Sequence, residues 1–347
     1  MKFLTFISGL FAALPFVVLV EPFYSGYLSL LILLPIVDIK NIDANRLGIY
    51  IIYVFLICIS LINVDYSFKI KELAIGIVLP SIFLFTDLKL DFKSFFKGVD
   101  AGVLVVIFSL IYLAYQKKLI TNFTTFFTSE RDWGSESAFY GNGTALVLTL
   151  VASYYLVNDK ISKAIIINSA AILTTSRIPL FMFAFIIFYL IFVSKIRKSY
   201  KLILTLLISI TIFYIFIYVS GEDSLLNRFT RSEDREFIFN YSYKLFKENI
   251  FLGFGPQEIP IYKHLHNSFF EVLFRYGVIT FIFYLVLVIK GNFFNAKLKF
   301  LIFLAFFYTF TQINLHNVNY MVILAIAISH LKLLNRKNEN FDKRISP

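Results

Sequence analysis

Apolar runs of 15–22 residues recur from Phe3 to Leu331, and a single long polar stretch interrupts them. Each run is close to what an α-helix needs to cross about 30 Å of hydrocarbon. In lipid, a spanning segment must pair its own backbone N–H and C=O groups, so runs without strict alternation are read as helices. Spans are expected near 3–20, 23–39, 47–63, 69–86, 98–115, 139–157, 161–175, 178–194, 201–219, 268–289, 298–313 and 317–331. The stretch from Ile161 to Val193 is too long for one crossing. Thr174-Thr175-Ser176-Arg177 followed by Pro179 marks a turn inside it, with Ser176 as N-cap of the second helix. The expected fold is all-α: a polytopic transmembrane bundle of about 12 helices, one integral membrane domain over 1–347 with a partly helical external loop at 220–267.

Composition supports that reading. Charged residues make up 16% of the chain, where a soluble domain carries about a quarter, and the mean hydropathy is +0.77. The first run lacks a small-x-small cleavage site, and Glu21-Pro22 leads at once into the next run, so it is expected to be a retained helix. Cys58 is the sole cysteine, which excludes an intramolecular disulfide and a thiolate metal cluster.

The net charge of +11 would suggest nucleic acid in a soluble protein. Its distribution gives a different account. With the amino terminus inside, the inner face receives 20 of the 33 basic residues, among them Lys89, Lys93 and Lys97, the 195–201 cluster, and the tail from Lys332 to Arg344. This follows the positive-inside rule and predicts a multi-pass protein of the cytoplasmic (inner) membrane with both termini cytoplasmic. No nucleic-acid partner is expected.

The same layout puts Arg177, the 220–267 loop, His266 and His316 on the outer face. Chemistry there cannot draw on cytosolic nucleotides, so its energy must arrive with the substrate or from a gradient. Within the loop, Ser232 reads as an N-cap with Glu233 and Asp234 in the first turn, where the helix dipole favours anions. The helix that follows, to Glu248, is expected to lie on or near the membrane surface with Phe237, Tyr241 and Leu245 on one stripe. Gly253-Phe254-Gly255-Pro256 is expected to end it.

The polar residues of this face each have two readings. His266 precedes a helix start, where the positive dipole end resists protonation and keeps imidazole neutral for general-base work; alternatively it is an interfacial cap. Arg177 either snorkels to headgroups or, with Arg235, holds a pyrophosphate through paired charge-assisted hydrogen bonds. Arg228, Arg231 and Arg275 join that set or pair with Glu233, Asp234, Glu236 or Glu271. Trp133, the only tryptophan, stacks on a sugar or anchors the 117–138 connection at the interface. Asn142 caps its helix, His330 is structural, and His264 with His266 lacks a third ligand of recognisable spacing, so no metal site is expected.

Taken together, Thr174-Thr175-Ser176-Arg177, Asp234-Arg235, Phe251-Leu252-Gly253-Phe254-Gly255 and the block His266-Asn267-x-x-x-Glu271-x-x-x-x-x-Gly277 resemble the O-antigen ligase and polymerase superfamily over about 139–290. The remainder agrees only in being serial membrane spans. That family has ten to fourteen helices and one long periplasmic loop near the carboxyl end. The resemblance implies transfer of glycan from undecaprenyl pyrophosphate at the outer face of the cytoplasmic membrane. By the resemblance, Arg177 and Arg235 would neutralise the pyrophosphate and His266 would orient or deprotonate the acceptor hydroxyl; Arg228, Arg231, Asn267, Arg275 and Trp133 are substrate-binding candidates by their place in the chain. Neither metal nor other cofactor is implied. Expected partners are lipid-linked glycans, membrane lipids, and a chain-length regulator and flippase of the same pathway. Phe237 and Phe239 stand where the family commonly carries a tryptophan after the loop arginine.

Three activities fit this reading: polymerisation of lipid-linked repeat units, ligation of finished glycan to lipid A-core, and transport of a lipid-linked glycan. The enzyme readings further expect the helices opening at Arg177 and Asn267 to bracket a cavity reached from the outer leaflet, with Arg235 above it.

Overall fold

Helices stand where the apolar runs predict them. In the computed structural model, the described residues are 1–14, 25–33, 35, 43–64, 70–81, 84, 90–116, 141–174, 178–193, 233–257, 268–289, 296–311 and 317–345. The helices are α1 (Lys2–Ala13), α2 (Ser25–Leu33), α3 (Ala44–Ser60, continued by one 3-10 turn, Leu61–Asn63), α4 (Ile70–Ser81), α5 (Phe92–Gln116), α6 (Gly141–Val157), α7 (Ile161–Ile172), α8 (Ile178–Val193), α9 (Glu233–Glu248), α10 (Ser268–Ile289), α11 (Ala296–Thr311) and α12 (Val318–Ile345), with no strand among the described residues.

The expected count of about 12 spanning helices is not supported. Eleven helices fall on expected spans, α9 is the loop helix, and the 201–219 span lies outside the described residues. Among the described residues, four helices are long and apolar enough to cross a membrane: Ala44–Asn63, Phe92–Gln116, Phe269–Ile289 and Val318–Asn335. The physical reason is length. At 1.5 Å per residue, helices such as Lys2–Ala13 and Ile161–Ile172 reach only about 18 Å.

Two compact units are formed, one by Met1–Val103 with Phe237–Pro347 and the other by Leu104–Glu236. In the first, α1, α2 and α12 pack together, and α10 packs along α3, α4 and α11. Asn319 opens α12 and ties the first group: its Nδ2 donates to Ala12 O (2.9 Å) and Phe11 O (3.0 Å), while its Oδ1 accepts from Gly26 N (3.2 Å). Carbonyls left over at the end of α1 thereby find a donor inside the protein. Asp91 caps α5, accepting from Ser94 N (3.2 Å) and Ser94 Oγ (2.8 Å), and these bonds hold its carboxyl below the usual carboxylate range. His330 of α12 stacks on Phe92 with ring centroids 5.0 Å apart, so it packs as the sequence suggests.

Pro80 lies inside α4 and has no N–H for Gly76 O, the carbonyl four residues back. The Tyr53 hydroxyl of α3 donates to that oxygen at 2.9 Å, and the Tyr50 hydroxyl donates to Ile77 O at 2.9 Å. A proline is tolerated in such a helix because a neighbouring helix repairs the missing bond.

The second unit is more regular. Residues 144–157 of α6 are buried on every side, against α7 and α8. The α6–α7 turn places Asp159 at φ 60°, and the Tyr189 hydroxyl of α8 donates to Asp159 Oδ1 at 2.8 Å, closing one end of the bundle.

Candidate active site

The glycine turn after α9 and the first half of α10 form one structure. Helix α9 buries Ile238, Ser242 and Phe246, with Phe239, Tyr241 and Leu245 packed around them against Phe254, Phe270 and Phe274. Of the expected stripe, Phe237 and Tyr241 stack with ring centroids 6.4 Å apart; Tyr241 and Leu245 pack against the cluster, while Phe237 is 50% exposed. The helix ends at Glu248, as expected, and Gly253 N then donates back to Asn249 O at 2.7 Å.

The apolar run predicts a continuous α10, whereas the helix is interrupted at Gly277 (φ 82°, ψ 170°). A regular helix would pair Val278 N with Phe274 O, four residues back. Here Val278 N donates to Ile250 O (3.0 Å), Phe254 N donates to Phe274 O (3.1 Å), and Gly255 N donates to Arg275 O (2.7 Å). The turn supplies the hydrogen bonds that the break removes, which answers the demand that buried backbone groups be paired. A Cβ at Gly277 would lie 2.0 Å from Phe251 O, and one at Gly253 would lie 2.3 Å from Arg275 O, so both glycines are required by close approach as well as by φ. Asn63, at the end of α3, donates from Nδ2 to Gly253 O at 2.9 Å and fixes the turn from its other side.

Arg275 lies under this clasp at 1% exposure. Its Nε donates to Glu271 Oε1, one helical turn earlier, and its Nη1 donates to Gln257 O. The guanidinium carbon stands 5.7 Å from the Phe254 ring centroid. Glu271 is 3% exposed and Gln257 7%, so the charges are compensated inside the protein. Of the two sequence readings of Arg275, substrate binding and pairing with Glu271, the pairing is the contact made.

In the second unit, α7 and α8 flank residues 175–177. The Asn168 side chain, fully buried, donates from Nδ2 to Pro179 O at 2.9 Å and staples the two helices at the base of the connection. Its Oδ1 has no partner among the described residues. Thr174 Oγ1 donates to Ala171 O at 2.6 Å, closing the last turn of α7.

Arg177, Arg228, Arg231, His266, Asn267 and Trp133 lie outside the described residues, as do the Ser232 cap and His264 and His316. Arg235 is the third residue of α9. By chain position, Arg177 immediately precedes α8, and His266 stands two residues before α10. The expected cavity between their helices likewise falls outside what the described residues show. Sequence reasoning missed the partners that build the clasp, Gln257 and Asn63. Glu271 four residues before Arg275 was the available signal for the ion pair; nothing local marks the two amides.

Residues 163–285 match the family model described as O-antigen ligase, a little over a third of the chain. The matched stretch runs from α7 through the break in α10 and takes in Arg177, Arg228, Arg231, Arg235, His266, Asn267 and Arg275, but not Trp133. No curated protein matches the chain. With the apolar helices, the match supports an integral membrane protein of the O-antigen ligase/polymerase superfamily, a family that acts on lipid-linked glycans.

Proposed function

We propose that this member of the O-antigen ligase/polymerase superfamily is a glycan polymerase, joining oligosaccharide repeat units carried on undecaprenyl pyrophosphate. The observation that carries the reading is the family match, which spans both scaffolds and all three candidate catalytic positions, Arg177, Arg235 and His266. The reaction occurs at the outer face of the cytoplasmic membrane, with both termini of the chain in the cytoplasm.

In the proposed step, an acceptor sugar hydroxyl gives its proton to the His266 imidazole as its oxygen attacks C1 of the donor sugar. The bond from C1 to the pyrophosphate oxygen breaks with inversion, and that oxygen leaves with the electron pair. Arg177 and Arg235 face the growing negative charge, which planar, always-charged guanidiniums can bind bidentately. Charge stabilisation of this kind stands in for a divalent ion, so the transfer is proposed to be metal-independent. Arg228, Arg231, Asn267 and Trp133 are proposed to bind donor and acceptor around it.

The match to an O-antigen ligase family model is equally consistent with a second reading, a ligase that transfers finished glycan to a lipid A-core sugar. Donor chemistry is common to both, and a deletion strain separates them. Lipopolysaccharide with a single repeat is the outcome expected for a lost polymerase. Bare core with accumulated lipid-linked polymer would show a ligase instead. Purified protein given lipid-linked repeats is expected to yield a glycan ladder in the presence of a chelator. Carrier-lipid movement across proteoliposomes with no new glycosidic bond would reject the enzyme and show a transporter.

A further inference from the structure

The turn that repairs the break in α10 carries two large apolar side chains that stand outside the core. Ile250 is 45% exposed and Phe251 69%, directly after Lys247, Glu248 and Asn249, which are exposed and polar. A single exposed apolar residue on a water-facing loop is ordinary. What meets this pair is decided by the depth at which the turn lies.

Two sets of contacts fix that depth. On one side, Val278 N donates to Ile250 O at 3.0 Å, and a Cβ at Gly277 would lie 2.0 Å from Phe251 O. Gly277 stands eight residues inside the apolar span Phe269–Ile289, about 12 Å along a helix axis. On the other side, Asn63 Nδ2 donates to Gly253 O at 2.9 Å, and a Cβ at Gly255 would lie 2.8 Å from Ser60 O. Asn63 is the last residue of the apolar span Ala44–Asn63. The first set puts the turn within the length of a spanning helix. The second puts it no farther out than the end of one.

The exposed surface is continuous with that of the two helices. On α3 and its 3-10 turn, Ile51, Phe55, Cys58 and Ile62 are exposed at helical spacing, and on α10 so are Ile279 and Ile282. On helices that cross a bilayer, such stripes face lipid. Ile62 adjoins Asn63 and Ile279 adjoins Val278, so the turn is bonded to each helix one residue away from its stripe.

We propose that Ile250 and Phe251 form a membrane-inserting tip: the turn after α9 is seated in the bilayer beside α3 and α10, with these two side chains among lipid acyl chains. A turn at that depth must pair its backbone inside the protein. It does so, through Phe274 O, Arg275 O and Val278 N. The polar residues just before the tip mark where the chain leaves the bilayer. There Lys247 Nζ stands 4.6 Å from the Tyr243 ring centroid, and tyrosines collect at the membrane–water interface with their polar ends in water. The proposal does not depend on which reaction the protein performs.

The test places a nitroxide on Phe251→Cys in a Cys58→Ser background, with the full chain in vesicles of phosphatidylcholine and phosphatidylglycerol. Power saturation then reads collision with oxygen, which concentrates in hydrocarbon, and with a polar nickel chelate, which stays in water. Native Cys58, exposed on the α3 stripe, is the lipid reference. Lys244→Cys, in the Cys58→Ser background and exposed on α9, is the water reference. The label at 251 is expected to match Cys58, with oxygen access exceeding nickel access at least about threefold. Nickel access at 251 equal to that at 244 would overturn the proposal and leave the tip in water. Low access to both reagents would overturn it too, since the tip would then be covered by protein, as in a dimer of this chain.

A second readout uses the single tryptophan. In a Trp133→Phe background, Phe251→Trp is expected to lose about half its emission to lipids brominated on the acyl chains, which reach a side chain seated at the headgroup–acyl boundary or below. Emission unchanged by those lipids and quenched by aqueous iodide would overturn the insertion.

Discussion

The clasp around α10 and the hairpin of α7 and α8 each flank a segment with a proposed catalytic residue, yet they are held by opposite means. In the hairpin, neither helix carries an internal break, and one neutral side chain staples residues eleven apart, Asn168 to Pro179. In the clasp, a helix is broken at Gly277, and its unpaired groups are taken up by a turn about twenty residues or more away. Asn63, 190 residues from Gly253, completes it. A broken helix at membrane depth cannot leave its carbonyls to lipid, so the turn and the break require each other. The hairpin has no such dependence. The two regions should therefore respond very differently to single substitutions.

The largest effect is expected at Glu271. Glu271→Leu leaves the Arg275 guanidinium buried beside an apolar side chain, and removing one partner of a buried pair costs about 3–5 kcal/mol. Thermal unfolding followed in detergent should show a large fall in midpoint. A change of only a degree or two would mean that water or another group already compensates Arg275.

Next is Gly277→Ala. The substitution forces a Cβ to within 2.0 Å of Phe251 O at a φ of 82°, and strain of this kind costs about 1–3 kcal/mol before the collision is counted. If the Gly277→Ala protein were as stable as wild type, α10 would have to run as a regular helix through this point, and the clasp would not exist.

A smaller case of the same rule is Tyr53. Tyr53→Phe leaves Gly76 O without its donor and is expected to cost about 1–2 kcal/mol. In a Pro80→Ala background the cost should shrink, because the N–H restored by the alanine can reach Gly76 O within the helix. Equal costs in the two backgrounds would break the link between the proline and the tyrosine.

The smallest effect belongs to the hairpin. Asn168→Leu removes one hydrogen bond together with a buried oxygen that has no partner among the described residues, so the two changes offset to within about 1 kcal/mol. A loss as large as that at Glu271 would erase the contrast between the regions.

The same contrast explains what could be read in the chain beforehand. The α7–α8 boundary was legible because its signals are local: a run too long for one helix, then a polar turn followed by Pro179. The ends of α10, Ser268 and Ile289, were legible from hydropathy alone. Its interior was not, since a lone glycine within an apolar run reads as a tolerated residue until its partner turn is known. Arg275 could be narrowed to two roles by its spacing from Glu271, but the choice depended on Gln257, which helical spacing does not bring near. On α9 the abundance of aromatics hid which face was buried, because Phe237 and Ile238 are adjacent and both apolar. The candidate residues were found from motif and topology, and their proposed roles rest on chemistry rather than on packing.

The most direct test of the account is the rate of glycosidic bond formation by His266→Ala, with purified, monodisperse protein and lipid-linked repeat units as both donor and acceptor. Loss of a positioned general base is predicted to lower kcat by about 100- to 10,000-fold, with the thermal midpoint preserved and KM for the donor little changed. Ladder formation at the wild-type rate by a folded His266→Ala protein would contradict the account.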